Sequence, residues 1–300
     1  MLTLSQRSRF RSLCVQVLVV LGSFSCDGPK PIDLPDPVPE DYDVTWSPDG
    51  QWLAFEHSEP GELPSVMVAR VDGSQRQMII AGAGMPDWSP DGLSLTFVQA
   101  RRIGTIVLVT GAITWLSPPG AFSLAPAWSP DGASIVYSSN NGVSTNPPDL
   151  WTVPAAGGTP TRVALPGPPR SQTDHADWSP DSRELVATVA GNTARLMITS
   201  IDGADTTSLS ALGGDATQAA WSPLGDRLAY TRSSPLADVY LVRLDGSDNR
   251  LLQANAIRPA WSPDGSRVAF SRRSATDMSI WSVEIATGNL TRLSWAPGQP

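Results

Sequence analysis

The segment that decides the fold is Trp261-Ser262-Pro263-Asp264-Gly265, because this motif or a close variant occurs six times in the 300 residues. Successive motif tryptophans are 42, 40, 50, 43 and 40 residues apart, and such a period is typical of propeller blades. These residues are Trp46, Trp88, Trp128, Trp178, Trp221 and Trp261. We therefore predict an all-β fold, a six-bladed β-propeller of four-stranded antiparallel blades.

Each motif predicts a tight turn between two antiparallel strands. Proline suits the second position of a type I turn, and the final glycine can adopt the positive φ that closes it. Ser182 replaces the glycine in the fourth copy, and Leu224 replaces the aspartate in the fifth. The turn aspartates are therefore expected to build turns rather than to share a chemical task.

The residues after each turn alternate in the way that half-buried strands do. Apolar side chains stand seven residues beyond each tryptophan, at Leu53, Leu95, Ile135, Leu185, Leu228 and Val268, and this period of two marks the second strand of each blade. Third strands are predicted at 66–71, 106–109, 150–153, 196–201, 239–244 and 280–285. Turn pairs such as Asp72-Gly73 then lead into short fourth strands.

The motif tryptophans are predicted to fill the space between adjacent blades. A buried tryptophan removes about 150–250 Å² from water, which at about 25 cal/mol/Å² is a gross gain of roughly 4–6 kcal/mol. Their interpretation is structural, and no catalytic role is assigned to them.

The first 26 residues have the pattern of an export signal, with Arg7, Arg9 and Arg11 ahead of an apolar run and a patch of small residues. The alternative is an uncleaved anchor, for which the run is short. Residues 27–40 are rich in proline and acidic residues and are predicted to form an extended tether. The propeller is assigned to residues 41–300.

Cys26 stands where bacterial lipoproteins carry the cysteine that is acylated. Ser23 occupies the position at which such signals usually have leucine, so ordinary cleavage near Ser25 is the alternative. Cys14 is the only other cysteine and lies inside the signal, so an internal disulfide is not expected in the exported body. We predict an extracytoplasmic or periplasmic protein attached to the membrane through Cys26.

The charge balance disfavours nucleic acid as a partner. The formal net charge is −8, and removing residues 1–25 changes it to −11, because three arginines and no acids are lost. Lys30 is the only lysine, and no basic cluster is present. Polyanion binding is therefore not predicted.

The segment 258–270, which runs from Arg258 through the motif to Phe270, resembles the repeat of TolB-type propellers. The resemblance extends from about Asp41 to the C-terminus and implies the six-bladed fold. The same repeat occurs in peptidases, lyases and sensory proteins, so it implies little about function. Peptidase relatives carry an α/β-hydrolase with a Gly-x-Ser-x-Gly elbow, which is absent from this sequence.

Candidate site residues come from the variable positions just before each tryptophan. The innermost strand of a blade should end at the tryptophan, and propellers usually bind at the mouth of the channel that these strands line. The polar residues predicted at this mouth are Asp43, Asp87, His175, Asp177, Gln218 and Arg258. They could hold a ligand or partner, or they could simply contact water and one another.

Three functional hypotheses follow, in order of preference. The first is a monomeric, non-catalytic scaffold that presents one face to an envelope protein, and the second is a sensor of a small ligand or carbohydrate. The third is a lyase or hydrolase, for which the sequence offers only His57, expected on a solvent-facing loop, and His175. No cofactor or metal is predicted, although Asp43, Asp87 and Asp177 carry the oxygen ligands that hard cations prefer.

Overall fold

A computed structural model of the chain describes residues 38–143, 148–165, 173–209, 212, 214–233, 237–274 and 277–294. The predicted signal (1–26) and most of the predicted tether (27–40) lie outside these residues. Within the described ranges, no helix has the length and apolar character needed to cross a membrane.

Twenty-four strands of the described chain form six four-stranded antiparallel sheets, as predicted. Blade one contains β1 (Glu40–Trp46), β2 (Trp52–Ser58), β3 (Ser65–Arg70) and β4 (Gln77–Ala81). Blade two contains β5 (Ala83–Trp88), β6 (Ser94–Gln99), β7 (Arg102–Val107) and β8 (Ile113–Trp115). Blade three contains β9 (Ser123–Trp128), β10 (Ser134–Ser139), β11 (Asp149–Pro154) and β12 (Thr161–Arg162).

The remaining blades follow the same order of strands. Blade four contains β13 (Thr173–Trp178), β14 (Glu184–Val189), β15 (Arg195–Ser200) and β16 (Thr206–Leu209). Blade five contains β17 (Asp215–Trp221), β18 (Arg227–Ser233), β19 (Ala237–Arg243) and β20 (Arg250–Gln253). Blade six contains β21 (Ala256–Trp261), β22 (Arg267–Arg273), β23 (Met278–Glu284) and β24 (Leu290–Arg292).

The first strand of every blade lies at the centre, where the six strands contact one another in a closed ring. β1 contacts β5, and the contacts continue through β9, β13, β17 and β21 back to β1. The innermost strand therefore ends at the motif tryptophan, as the sequence predicts. A closed ring of this kind leaves a channel along its axis.

The motif tryptophans pack between blades, as predicted. Trp88 lies 8% exposed against Val66 and Val68 of blade one. Trp46 lies 7% exposed against Ile280 and Leu293 of blade six, which closes the ring. Each described hydrophobic cluster spans two neighbouring blades, so the core of the molecule lies at the junctions.

The predicted turns form through a repeated set of hydrogen bonds. In blade one the Ser47 hydroxyl donates to Asp49 Oδ1 at 2.6 Å, the amide of Gln51 donates to the same oxygen at 3.0 Å, and Gly50 has φ 68°. The turns of neighbouring blades also lie side by side. Gly50 is close enough to Pro263 of blade six that a Cβ added to it would be in van der Waals contact with that proline, at 3.8 Å.

Both departures from the turn motif are compensated locally. Ser182 adopts φ 59° in place of glycine, and its hydroxyl accepts the amide of Asp131 from blade three at 3.1 Å. In blade five Leu224 is 71% exposed, and the carboxylate of Asp226 contacts the Ser222 hydroxyl instead. In the fifth copy a neighbouring carboxylate therefore replaces the lost contact, whereas in the fourth copy the serine keeps the positive φ of the glycine and adds a hydrogen bond between blades.

One strand prediction needs correction. The third strand of blade two was predicted at 106–109 but runs from Arg102 to Val107. It starts early because Ala100 and Arg101 both have positive φ and make a two-residue hairpin without glycine or proline.

Candidate functional site

All six predicted mouth residues line one cavity of about 300 Å³ in the central channel. Its wall consists of the last residues of the innermost strands, and near blades five and six it extends to Trp221 and Trp261. Among the polar members of this wall are Asp43, Asp87, His175, Asp177, Gln218 and Arg258. The sequence analysis predicted that these side chains share one surface, and they do, although Asp43 and Arg258 are 215 residues apart in the chain.

A bulge in each innermost strand directs residues toward this channel. In every blade the register of pairing between the first and second strands shifts, and the shift includes the residue three positions before the tryptophan. The left-handed residues at this point are Asp43, Met85, Ala125, Gln218 and Arg258, with φ between 50° and 56°. A bulge re-aims side chains locally, so the variable positions face the channel because of backbone geometry.

The bulge amides are capped by side chains of the preceding blade. The backbone amide of Gln218 donates to Thr188 Oγ1 at 3.0 Å, and that of Arg258 donates to Thr231 Oγ1 at 3.0 Å. The backbone amide of Asp43 donates to Ser271 Oγ at 3.2 Å. Each acceptor stands ten residues after its own tryptophan. These capping residues were missed, although a polar side chain recurring there within an apolar strand is a signal that could have found them.

At blade two the cap is the buried carboxylate of Glu56, which accepts the Met85 amide at 3.1 Å. Burial raises the pKa of Glu56, although hydrogen bonds from Tyr42 and from this amide act in the opposite direction. A Cβ at Gly84 would overlap the carboxylate, so a larger residue there would displace the Glu56 side chain from the Met85 amide.

Asp43 and Arg258 form an ion pair across the junction of blades one and six. The guanidinium contacts Asp43 Oδ2, with the two side chains 23% and 10% exposed for Arg258 and Asp43 respectively. Burial lowers the pKa of Arg258 from its usual value. A buried charge needs its partner, so this pair helps to hold the ring closed while it faces the channel.

Asp87 and Asp177 join neighbouring blades through their carboxylates. Asp87 accepts the Thr45 hydroxyl at 2.9 Å and the backbone amide of Trp128 at 2.8 Å. Asp177 accepts the backbone amides of Trp178 at 2.8 Å and Trp221 at 2.7 Å. The two aspartates therefore take part in the packing between blades and do not only face the channel.

The low polarity around these carboxylates disfavours their charged forms. Loss of solvation raises the pKa of Asp87 to about 7, with the charge of Asp177 contributing. Loss of solvation likewise raises the pKa of Asp177 to about 6, against the effect of its two amide donors. The channel charge therefore changes near neutral pH.

The indole N–H groups make a different connection where the preceding blade carries alanine just before its own tryptophan. Trp46, Trp178 and Trp261 donate from Nε1 to the carbonyls of Ala260, Ala127 and Ala220 in the preceding blades, at 3.3, 3.0 and 3.2 Å. The indole N–H groups of Trp88, Trp128 and Trp221 have no hydrogen-bond partner in the described part of the chain. In these three cases the preceding blade carries a polar residue, and not alanine, just before its own tryptophan; these residues are Thr45, Asp87 and Asp177.

The remaining histidine lies in a strand and not in a solvent-facing loop, which corrects the sequence prediction. His57 is in β2 with its side chain 12% exposed, and its Nδ1 lies 2.7 Å from Asp41 Oδ1. Arg76 also contacts Asp41, and Glu59 lies 3.0 Å from His57 Nε2. Hydrogen bonding to Asp41 raises the pKa of His57, so this cluster fixes the start of β1 electrostatically.

The described residues contain no group of three or more His, Cys, Asp or Glu side chains that could hold a metal ion. What the channel presents is a partly polar concavity with walls fixed by bonds between blades. It can accept a small ligand or a protruding segment of another protein.

The fold and its channel define a closed six-bladed β-propeller with a candidate binding site at its axis. Residues 42–246 match the TolB beta propeller domain family. This match covers more than half of the chain, which therefore belongs to that family.

Solved structures with this fold include a TolB from Acinetobacter baumannii, with a TM-score of 0.69 and 18% identity over 85% of this chain and 63% of that one. A putative TolB from Agrobacterium tumefaciens has a TM-score of 0.64 and 22% identity over 73% of this chain and 84% of that one. An oligogalacturonate lyase in complex with manganese has a TM-score of 0.59 and 17% identity over 85% of this chain and 77% of that one. At such identities the likeness shows the fold alone.

One curated relative also shares a short stretch with this chain. The Tol-Pal system protein TolB of Alcanivorax borkumensis is 33% identical over 60 residues, which is 19% of this chain and 14% of that protein. The chain thus spans less than two thirds of this relative and of the Acinetobacter structure.

Proposed function

We propose that this chain is an exported, lipid-anchored, non-catalytic propeller that acts as a protein-interaction scaffold at the cell envelope and binds its partner at the channel mouth. The observation that carries the proposal is the composition of the channel wall. The residues that differ from one repeat to the next lie together there, on strands held in place by hydrogen bonds between blades. Membership of the TolB beta propeller domain family supports an interaction role.

The contacts of the channel residues favour binding over catalysis. Asp87 and Asp177 accept backbone amides, and Asp43 is paired with Arg258. These groups are committed to holding the blades together, and side chains that are already held in place lose little entropy when a partner docks.

Photo-cross-linking in intact envelopes tests the scaffold function. A photoreactive amino acid replaces Gln218, whose side chain lines the channel. A matched control places it at Leu251, which is 49% exposed on the outer strand β20. We expect a discrete cross-linked protein from position 218 and none from 251, whereas the same products from both positions would contradict a mouth-specific partner.

The second candidate function is a sensor of a small ligand or carbohydrate. The channel cavity of about 300 Å³ lies at the lower end of the volumes found for small-ligand sites, which is the observation that favours it. A ligand bound only to the folded protein raises its melting temperature. If a sugar or small anion raises the melting temperature of the wild type but not of an Asp43→Asn/Arg258→Met variant, and no protein cross-links at Gln218, the sensor replaces the scaffold. The enzyme hypothesis stays last.

The membrane attachment and oligomeric state have their own tests. Fatty-acid labelling of cells should mark the wild type and leave Cys26→Ala unlabelled, and equal labelling of both would remove the anchor from the proposal. Light scattering of the released propeller should give the mass of a monomer.

A further inference from the structure

A second concave surface lies between blades one and two on the turn face, which is the face that carries the six motif turns. It is a groove of about 380 Å³ and shares no lining residue with the channel cavity. Its walls include the aromatic side chains Trp52 and Trp88 and the aliphatic side chains Val68 and Ile79. This groove is independent of the site proposed above.

Two turn carboxylates also line the groove, Asp49 from blade one and Asp91 from blade two. Their turns interlock, since a Cβ on Gly92 would lie 3.7 Å from Pro48. The Oδ1 atom of each accepts a serine hydroxyl at 2.6 Å and a backbone amide within the turn. These bonds lower the pKa of both groups, so both are ionised at neutral pH.

The groove between blades six and one differs from this groove in the partners of its carboxylate and in the charge of its wall. There the two Asp264 oxygens accept the Ser266 hydroxyl at 2.9 and 2.8 Å, and Arg267 lines the same groove. Arg267 and Trp52 occupy equivalent positions, six residues after their tryptophans, and no other blade has an aromatic residue there. Blade one therefore supplies an aromatic wall where blade six supplies a cation.

The chain itself shows that Trp52 accepts a cation. The Arg70 guanidinium lies over the Trp52 ring with its Cζ 4.5 Å from the ring centroid, and Arg70 is not part of the groove wall. A guanidinium on an indole face is favourable electrostatically. At the other aromatic wall, Trp88 is 8% exposed and packs in the same cluster as Val68, so this side of the groove is fixed by the core between the two blades.

From these contacts we infer that the groove between blades one and two binds an arginine or lysine side chain presented by a protein partner. The aliphatic stem packs on the indole walls, and the charged head meets two ionised carboxylates. The net charge of −8 gives the protein the complementary sign. The inference does not depend on the channel function.

The test uses the indole N–H signals in a ¹⁵N-correlation spectrum of the folded full-length chain. The Trp52 signal is assigned with Trp52→Phe and the Trp88 signal with Trp88→Phe. The probe is a blocked tripeptide, Ala-Arg-Ala, and its control is the same peptide with citrulline, which keeps the shape and removes the charge. We expect saturable movement of the Trp52 and Trp88 signals with the arginine peptide and roughly fivefold weaker binding with citrulline.

The carboxylates are tested by Asp49→Asn/Asp91→Asn, because asparagine keeps an oxygen for the turn bonds and removes only the charge. We expect binding roughly fivefold to tenfold weaker, and the other indole signals report whether the variant folds. Asp131→Asn is the matched control, since Asp131 makes the same turn bonds in blade three. In the wild type, added salt should weaken binding. Unmoved Trp52 and Trp88 signals, equal affinity for citrulline, or equal affinity in the double variant would each overturn the inference.

Discussion

Asp87 and Asp177 occupy the same position of the repeat, but the donors to their carboxylates differ. One Asp87 oxygen accepts a hydroxyl, from Thr45, and the other accepts a backbone amide. Both Asp177 oxygens accept backbone amides. A hydroxyl can reverse its role and accept a hydrogen bond, whereas an amide N–H cannot.

This difference predicts unequal effects of removing the charge. In Asp87→Asn the new amide group can donate to Thr45 Oγ1 while its oxygen still accepts from Trp128, so we expect a change in unfolding free energy within about 1 kcal/mol. In Asp177→Asn one backbone amide must face an NH₂ group, and an unsatisfied buried donor costs about 1–3 kcal/mol. Urea unfolding at one pH measures both. Equal losses in the two variants would contradict the assigned hydrogen bonds.

The same carboxylates predict a pH dependence. Their folded pKa values, about 7 and about 6, lie above the ordinary value of 3.8. Between about pH 4 and pH 7 the folded state therefore binds more protons than the unfolded chain, so this contribution to stability falls as pH rises. We expect Asp87→Asn to lose less unfolding free energy than the wild type from roughly pH 5 to pH 8, measured by urea titration. A parallel pH profile in the two proteins would show that Asp87 does not titrate in this range.

The innermost strand of each blade contains an irregularity that turns residues toward the channel. Its bulge gives Gln218 and Arg258 positive φ, and side chains of the preceding blade cap the bulge amides. A bulge without its cap would leave a buried amide unpaired. The irregular strand and the polar residue ten positions after the tryptophan therefore depend on each other.

Thr231→Val tests this coupling, because valine keeps the shape and removes the hydroxyl that accepts the Arg258 amide. We expect a loss of about 1–3 kcal/mol in unfolding free energy. The control is Thr207→Val on the exposed side of β16, where a change within about 0.5 kcal/mol is expected. Similar losses from both substitutions would mean that the cap contributes nothing specific.

On the scale of the whole molecule, the junction of blades six and one closes the ring. It combines the Asp43–Arg258 pair, the Ser271 cap and the cluster that includes Trp46 and Ile280. These contacts join residues more than 200 positions apart. Such closure gains its stability only when both ends of the chain are in place.

Ile280→Ala should therefore weaken both ends of the propeller. Truncating a fully buried isoleucine costs about 2–5 kcal/mol, and Ile280 packs in the same cluster as Val44 of β1. Hydrogen exchange should accelerate in β1 as well as in β23. Acceleration confined to blade six would show that closure does not couple the two ends.

Much of the architecture is local and was readable from the sequence. The turn motif fixes where chains reverse, and the alternation after it fixes which face is buried, so six blades follow from side chains a few residues apart. The exception in blade two arose because Ala100 and Arg101 make a hairpin without the residues that usually mark one. The channel position of Arg258 was also readable, since it depends only on its distance from Trp261.

What the sequence alone determined is the repeat: the number of blades, their strands and the set of side chains on the channel wall. Only the tertiary structure decided what those side chains do, because each hydrogen bond of Asp87 to Thr45 and Trp128 crosses a blade junction. The groove of Trp52 and Asp91 likewise joins two blades. Partners across a junction lie about one repeat apart in sequence, so their pairing depends on the geometry between blades, which a pattern within one blade does not encode.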